Sequence, residues 1–225
     1  MYILKNKVFF GIIFLVLLNI TFAFVQENQV GNYYAYNAVS SPIKGVTVVA
    51  PPKPLNKNSL LPLSNIQAEW VAFVPYGFSK KGNPSVSYNL DRQWWGERSE
   101  GVESSIVTAR EVGLKVMLKP QVYIGGGWVG DMDFESESDW KKWEENYASY
   151  IKEFARIAAK HNVEMFCIGT EYNVAVKKRS SFWKQLIKDV RQTYKGQLIY
   201  SANWDNYQDV PFWDQLDYIG ISSYF

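Results

Sequence analysis

Six short apolar runs, separated by amphipathic patterns, constrain this chain's fold more than any other feature. The first is Gly45-Val-Thr-Val-Val-Ala50, stopped by Pro51-Pro52. The second is Trp70-Val-Ala-Phe-Val-Pro75 and the third Lys115-Val-Met-Leu-Lys119. The fourth spans Val163 to Thr170, the fifth Leu198 to Ala202 and the sixth Tyr218 to Ser222. All have strand length. Between them the period changes. From Gly101 to Val112 the apolar positions 102, 106 and 109 have helical spacing, and Gly113 sits where a helix stops. Trp140, Trp143, Tyr147, Tyr150, Ile151, Phe154, Ile157 and Ala158 share one helix face. From Ser181 to Tyr194 another helix is predicted, and Pro211-Phe-Trp-Asp214 reads as a single helical turn.

Strands alternating with helices make a parallel sheet. A doubly wound sheet usually places a Gly-rich turn after its first strand, where this chain has Ala50-Pro51-Pro52. The run Gly125-Gly126-Gly127 lacks a following Lys-Ser/Thr and opens no helix, so it is no phosphate loop. It reads as a flexible loop at the mouth of a barrel. The predicted fold class is therefore α/β, a (β/α)8 TIM barrel with about six of its eight units present. Such barrels typically take about 250 residues; this chain has 225. The expectation is a barrel domain over residues 43–225 that is C-terminally truncated.

The N-terminus predicts export. Lys5 and Lys7 precede the apolar run Val8 to Leu18, and Thr21-Phe-Ala23 offers a small-residue cleavage site. Residues 1–23 read as a signal peptide and residues 24–42 as a linker. The apolar run is short for a stable spanning helix, so no stable membrane partner is expected. A net charge of +2 demands no nucleic acid.

Several chemistries are excluded by scarcity. Cys167 is the one cysteine and His161 the one histidine. A Ser-His-Asp triad or a zinc site needs more or better placed ligands. Cys167 reads as a small buried hydrophobe, and His161 as a helix-ending residue. Asp131, Asp133, Glu135, Glu137 and Asp139 precede or open the long helix, whose positive end they suit. Ser136 with Asp139 resembles a capping box. The acids lack the calcium loop's central Gly and terminal Glu. No metal or cofactor is expected.

The remaining chemistry gathers at strand ends, where a barrel keeps its catalytic groups. The fourth strand runs straight into Glu171, followed by Tyr172-Asn173. Lys119 ends the third strand and Gln121 and Trp128 follow it; Asn203 and Trp204 follow the fifth, and Tyr224 the sixth. Amides and ammonium groups bond sugar hydroxyls, and Trp can stack on a pyranose face. The aromatic share of 16% suits such a rim; Trp94 and Trp95 are equally packing residues. Glu171 reads as a catalytic carboxylate for glycosidic bond cleavage. That reaction usually needs a second carboxylate, about 5–5.5 Å away in retaining enzymes.

The ordered runs from Lys44-Gly-Val-Thr-Val through Lys115-Val-Met-Leu-Lys-Pro-Gln121 and Phe166-Cys-Ile-Gly-Thr-Glu171 to Tyr224 resemble glycoside hydrolase family 113. The resemblance covers about residues 43–225. It implies a barrel of the large retaining clan, chiefly endo-β-1,4-mannanase in activity. It implies that Glu171 is the acid/base and that Lys119, Gln121, Asn203, Trp204 and Tyr224 line the subsite next to the scissile bond. Tyr224 matches the tyrosine that orients the clan's nucleophile. That nucleophile is a Glu ending strand seven, and this sequence has no strand seven. The expected partner is a polysaccharide or oligosaccharide, and the complete protein is expected to be a monomer. The 225-residue form is expected to be inactive. The alternative is a non-catalytic carbohydrate-binding protein or an inactive fragment.

Overall fold

The computed structural model describes residues 42–224. The signal peptide and all but the last residue of the linker lie outside the described residues. In chain order the strands are β1 (Gly45–Val48), β2 (Trp70–Phe73), β3 (Tyr76–Lys80), β4 (Lys115–Leu118), β5 (Gln121–Gly125), β6 (Met165–Thr170), β7 (Gln197–Asn203) and β8 (Tyr218–Ser222). The helices are α1 (Ser99–Glu111), α2 (Glu137–Lys160), α3 (Asn173–Lys178) and α4 (Ser180–Thr193).

All six apolar runs join one sheet in the order β1-β2-β4-β6-β7-β8, every pair parallel. This is an arc of a (β/α)8 barrel. The connection from β1 to β2 carries 3-10 turns at Lys57–Ser59 and Leu61–Ile66 in place of a long helix. Helix α2 starts at Ser136, whose hydroxyl oxygen accepts the Asp139 N–H at 3.1 Å. Its apolar face is buried as the spacing predicts.

Much of the aromatic content lies in the core. Trp143, Tyr147, Tyr172, Trp183, Tyr200 and Phe212 are buried as one cluster of α2, α4 and the strands they cover. Trp143 stacks on Tyr147 and Trp183 on Phe212, with centroids 5.2 and 5.8 Å apart. Pairs of this kind contribute about 0.5–1.5 kcal/mol beyond their burial.

Strands β3 and β5 are not anticipated by the sequence reading. They form a separate two-stranded parallel sheet that extends β2 and β4 past Pro75 and Pro120. A proline has no N–H to give a ladder, so the main sheet stops at both points and pairing resumes beyond. The loop assigned to Gly125-Gly126-Gly127 is corrected at its first residue: Gly125 ends β5, and the chain turns at Gly126, φ 76°, and bends at Gly127. The Tyr150 hydroxyl of α2 fastens this second sheet. It accepts the Gly77 N–H at 3.1 Å and faces the carbonyls of Pro75 and Gln121 at 2.7 and 2.8 Å as donor.

Candidate active site

The site begins with an irregularity in β6. Cys167 pairs with Ile199 of β7, and the next pair is Thr170 with Ser201, so β6 contains one extra residue. Side chains alternate along a strand, and the bulge resets that alternation. Thr170 comes to the face of Cys167, with Sγ and Oγ1 3.9 Å apart. Gly169 is turned to the aromatic cluster. A Cβ there would stand 2.8 Å from Trp183 and 3.0 Å from Tyr200, which leaves room for glycine alone.

Glu171 follows at φ 58°, a region that costs a residue with a side chain roughly 1–2 kcal/mol. Three backbone hydrogen bonds hold it there. Its N–H donates to Ser201 O at 2.8 Å, and its carbonyl accepts the Asn173 N–H at 2.9 Å. The next N–H, of Tyr172, donates to the Tyr200 hydroxyl at 2.8 Å. The Glu171 side chain is thereby aimed into a cleft of about 390 Å³ and is only 7% exposed.

The carboxylate accepts two hydrogen bonds from neutral donors. The Tyr224 hydroxyl reaches Oε1 at 2.7 Å and the Trp128 indole N–H reaches Oε2 at 3.2 Å. The bond to Glu171, then partial burial, raises the Tyr224 phenol above its ordinary pKa. Lys119 lies in the same cleft and donates to Ser201 Oγ at 3.3 Å, which is 3.1 Å from Ser222 Oγ. Lys119 has no carboxylate partner among the described residues. Gln121 Oε1 accepts the Tyr76 hydroxyl at 3.2 Å, the two residues facing each other across the β3–β5 pair. Among the described residues Glu171 is the one carboxylate that lines the cleft.

Of the residues singled out in the sequence, Glu171, Lys119, Gln121, Trp128 and Tyr224 line this cleft together. Asn203 and Trp204 do not. Asn203 Oδ1 accepts the Trp204 N–H at 3.1 Å, folding the side chain back on the turn, and Trp204 is exposed. Tyr76 and Ser201 escape the sequence reading. Tyr76 follows a proline that looks like a strand end, and Ser201 sits within an apolar run. Tyr224 touches the acid predicted at β6, whereas the family pattern has it orient a nucleophile. Among the described residues no three of His, Cys, Asp and Glu converge as a metal site.

The model of Glycoside Hydrolase Family 113 matches residues 52–225. A β-mannanase of that family from Alicyclobacillus acidocaldarius is 30% identical with a TM-score of 0.70, over 75% of this chain and 55% of its own. A second family 113 β-1,4-mannanase is also 30% identical with a TM-score of 0.70, over 81% of this chain and 62% of its own. The chain thus spans less than two thirds of the length of either. None of the curated proteins matches it.

Proposed function

The chain belongs to glycoside hydrolase family 113, and from that premise we propose that it carries the acid/base half of a retaining β-1,4-mannan hydrolase. The observation behind this reading is the Glu171 carboxylate, buried at the cleft and held by the Tyr224 hydroxyl and Trp128 indole. In such a reaction Glu171 protonates the leaving glycosidic oxygen while a second carboxylate attacks the anomeric carbon. Glu171 then takes a proton from the water that releases the sugar. Lys119 and Gln121 supply bonds to ring hydroxyls, and Trp128 a face for stacking. Mannan as the substrate is supported by the two similar solved enzymes, both β-mannanases.

The cleft offers no second carboxylate among the described residues. Residues 42–224 by themselves therefore bind saccharide without turning it over. Titration of mannohexaose into the 225-residue chain, with reducing ends assayed alongside, checks both statements. Binding without sugar release is expected. Release that Glu171→Gln abolishes would mean that a nucleophile is present after all. Release that survives Glu171→Gln would remove Glu171 from the mechanism.

Export is the matching proposal for residues 1–23, resting on Lys5, Lys7 and the apolar run after them. N-terminal sequencing of protein recovered outside the cytoplasm should begin at Phe24.

A further inference from the structure

Trp128 also lines a second concavity, of about 250 Å³, and shares Ile124 and Gly127 between the two. It lies between the turn after β3 and the segment leading into α2. Nothing in the proposed cleavage chemistry uses it. Its walls are apolar at Met132, Phe134 and Trp128, and its rim is polar at Lys81, Asn83 and Asp131. Phe134 is a fixed wall, packed edge-on against Trp140 of α2 with centroids 5.1 Å apart. Asn83 Oδ1 accepts the Ser85 N–H at 2.8 Å, which leaves its amide N–H groups to donate. Asp131 makes no ion pair among the described residues.

The chemistry of the rim narrows the ligand. Charges of both signs suit neither an anion nor a cation, and a purely apolar guest would strand the polar rim without partners. A hexopyranose has apolar C–H faces and an edge of hydroxyls that both donate and accept. The volume is below that of a typical drug-sized site, so a single ring is the fitting unit. The shared lining at Ile124, Gly127 and Trp128 makes the two concavities neighbours.

We propose that this second pocket is a saccharide subsite, holding a neutral hexose unit of the same glycan whose scissile bond lies at Glu171. The proposal rests on the glycanase reading and adds chain-length preference to it.

Titration of mannobiose and mannohexaose into the 225-residue chain tests it. Three variants are compared with wild type: the double variant K81A/N83A, Phe134→Ala, and Gln121→Ala in the cleft. Circular dichroism melts serve as the folding control. K81A/N83A keeps the Phe134–Trp140 packing, so it reads the pocket even if Phe134→Ala unfolds. The pocket variants should weaken mannohexaose about tenfold, or 1.4 kcal/mol, and leave mannobiose unchanged. Gln121→Ala should weaken both sugars. If K81A/N83A stays within twofold of wild type for mannohexaose while Gln121→Ala weakens it, the subsite is wrong and the cleft reading stands. If wild type binds neither sugar, the mannan reading fails and the subsite with it.

Discussion

At the scale of single residues, Glu171 occupies a backbone conformation that its own side chain disfavours. At most positions glycine is worse than alanine by about 0.5–1 kcal/mol, because it loses more chain freedom on folding. At φ 58° the order should invert. Glu171→Gly and Glu171→Ala lose the same bonds to Tyr224 and Trp128, so their difference isolates the backbone. Urea denaturation should find Glu171→Gly the more stable by about 1 kcal/mol. The alanine variant being the more stable would refute the strain. Two residues earlier the geometry is opposite: Gly169→Ala places a methyl against Trp183 and Tyr200. Overpacking of this kind costs about 1–3 kcal/mol, and the same denaturation series would register it. The carboxylate ending an apolar run was legible in the sequence. The bulge that aims it was not, because alternation along one strand does not count the residues of its neighbour.

At the scale of elements, the β3–β5 pair carries Gln121, Tyr76 and Tyr123 to the cleft. Tyr150 of α2 is what attaches it. Tyr150→Phe leaves the Gly77 N–H without its acceptor and removes the one hydroxyl proton shared by the Pro75 and Gln121 carbonyls. An unsatisfied buried group costs about 1–3 kcal/mol, so amide exchange in 76–80 and 121–125 should quicken. Unchanged exchange there would show the hydroxyl to be dispensable. These strands were hidden by Pro75 and Pro120, which read as ends because proline closes a ladder from its own side.

A second element-scale device lies at the start of β8. Asp217 accepts the Leu198 N–H at 2.7 Å and an Arg191 N–H from α4. Partial burial raises its carboxyl, but the Leu198 and Arg191 bonds outweigh this and leave its pKa lowered. A group depressed on folding stabilises above its unfolded pKa, about 3.9, and that stabilisation is lost as pH falls through the folded value. The melting-temperature gap between wild type and Asp217→Asn should therefore be open at neutral pH and close in strong acid. A gap of constant size across that range would mean that the charge contributes nothing.

At the scale of the whole molecule, β1 and β8 end the six-stranded order and have no outer neighbour among the described residues. Val49, just past β1, is 76% exposed and Ile219 in β8 is 59% exposed. Unpaired edges beside apolar side chains invite other chains. Concentration-dependent association of the 225-residue chain is expected in sedimentation, and Ile219→Lys should reduce it. A protein that stays monomeric at high concentration would show that these edges are harmless.

The sequence by itself determined the rhythm of strands and helices, the parallel sheet, and the residue on which the site is built. Those follow from local periodicity, strand breakers and a carboxylate placed where an apolar run stops. Only the tertiary structure decided which rim residues meet. Asn203 and Trp204 stand at a strand end like the others, yet a local hydrogen bond folds Asn203 away from the cleft. Trp128 and Tyr224 are 43 and 53 residues from Glu171 in the chain and touch its two oxygens. The physical reason is that a strand end specifies a height on the barrel, while bulges, caps and contacts from other strands decide where a side chain points.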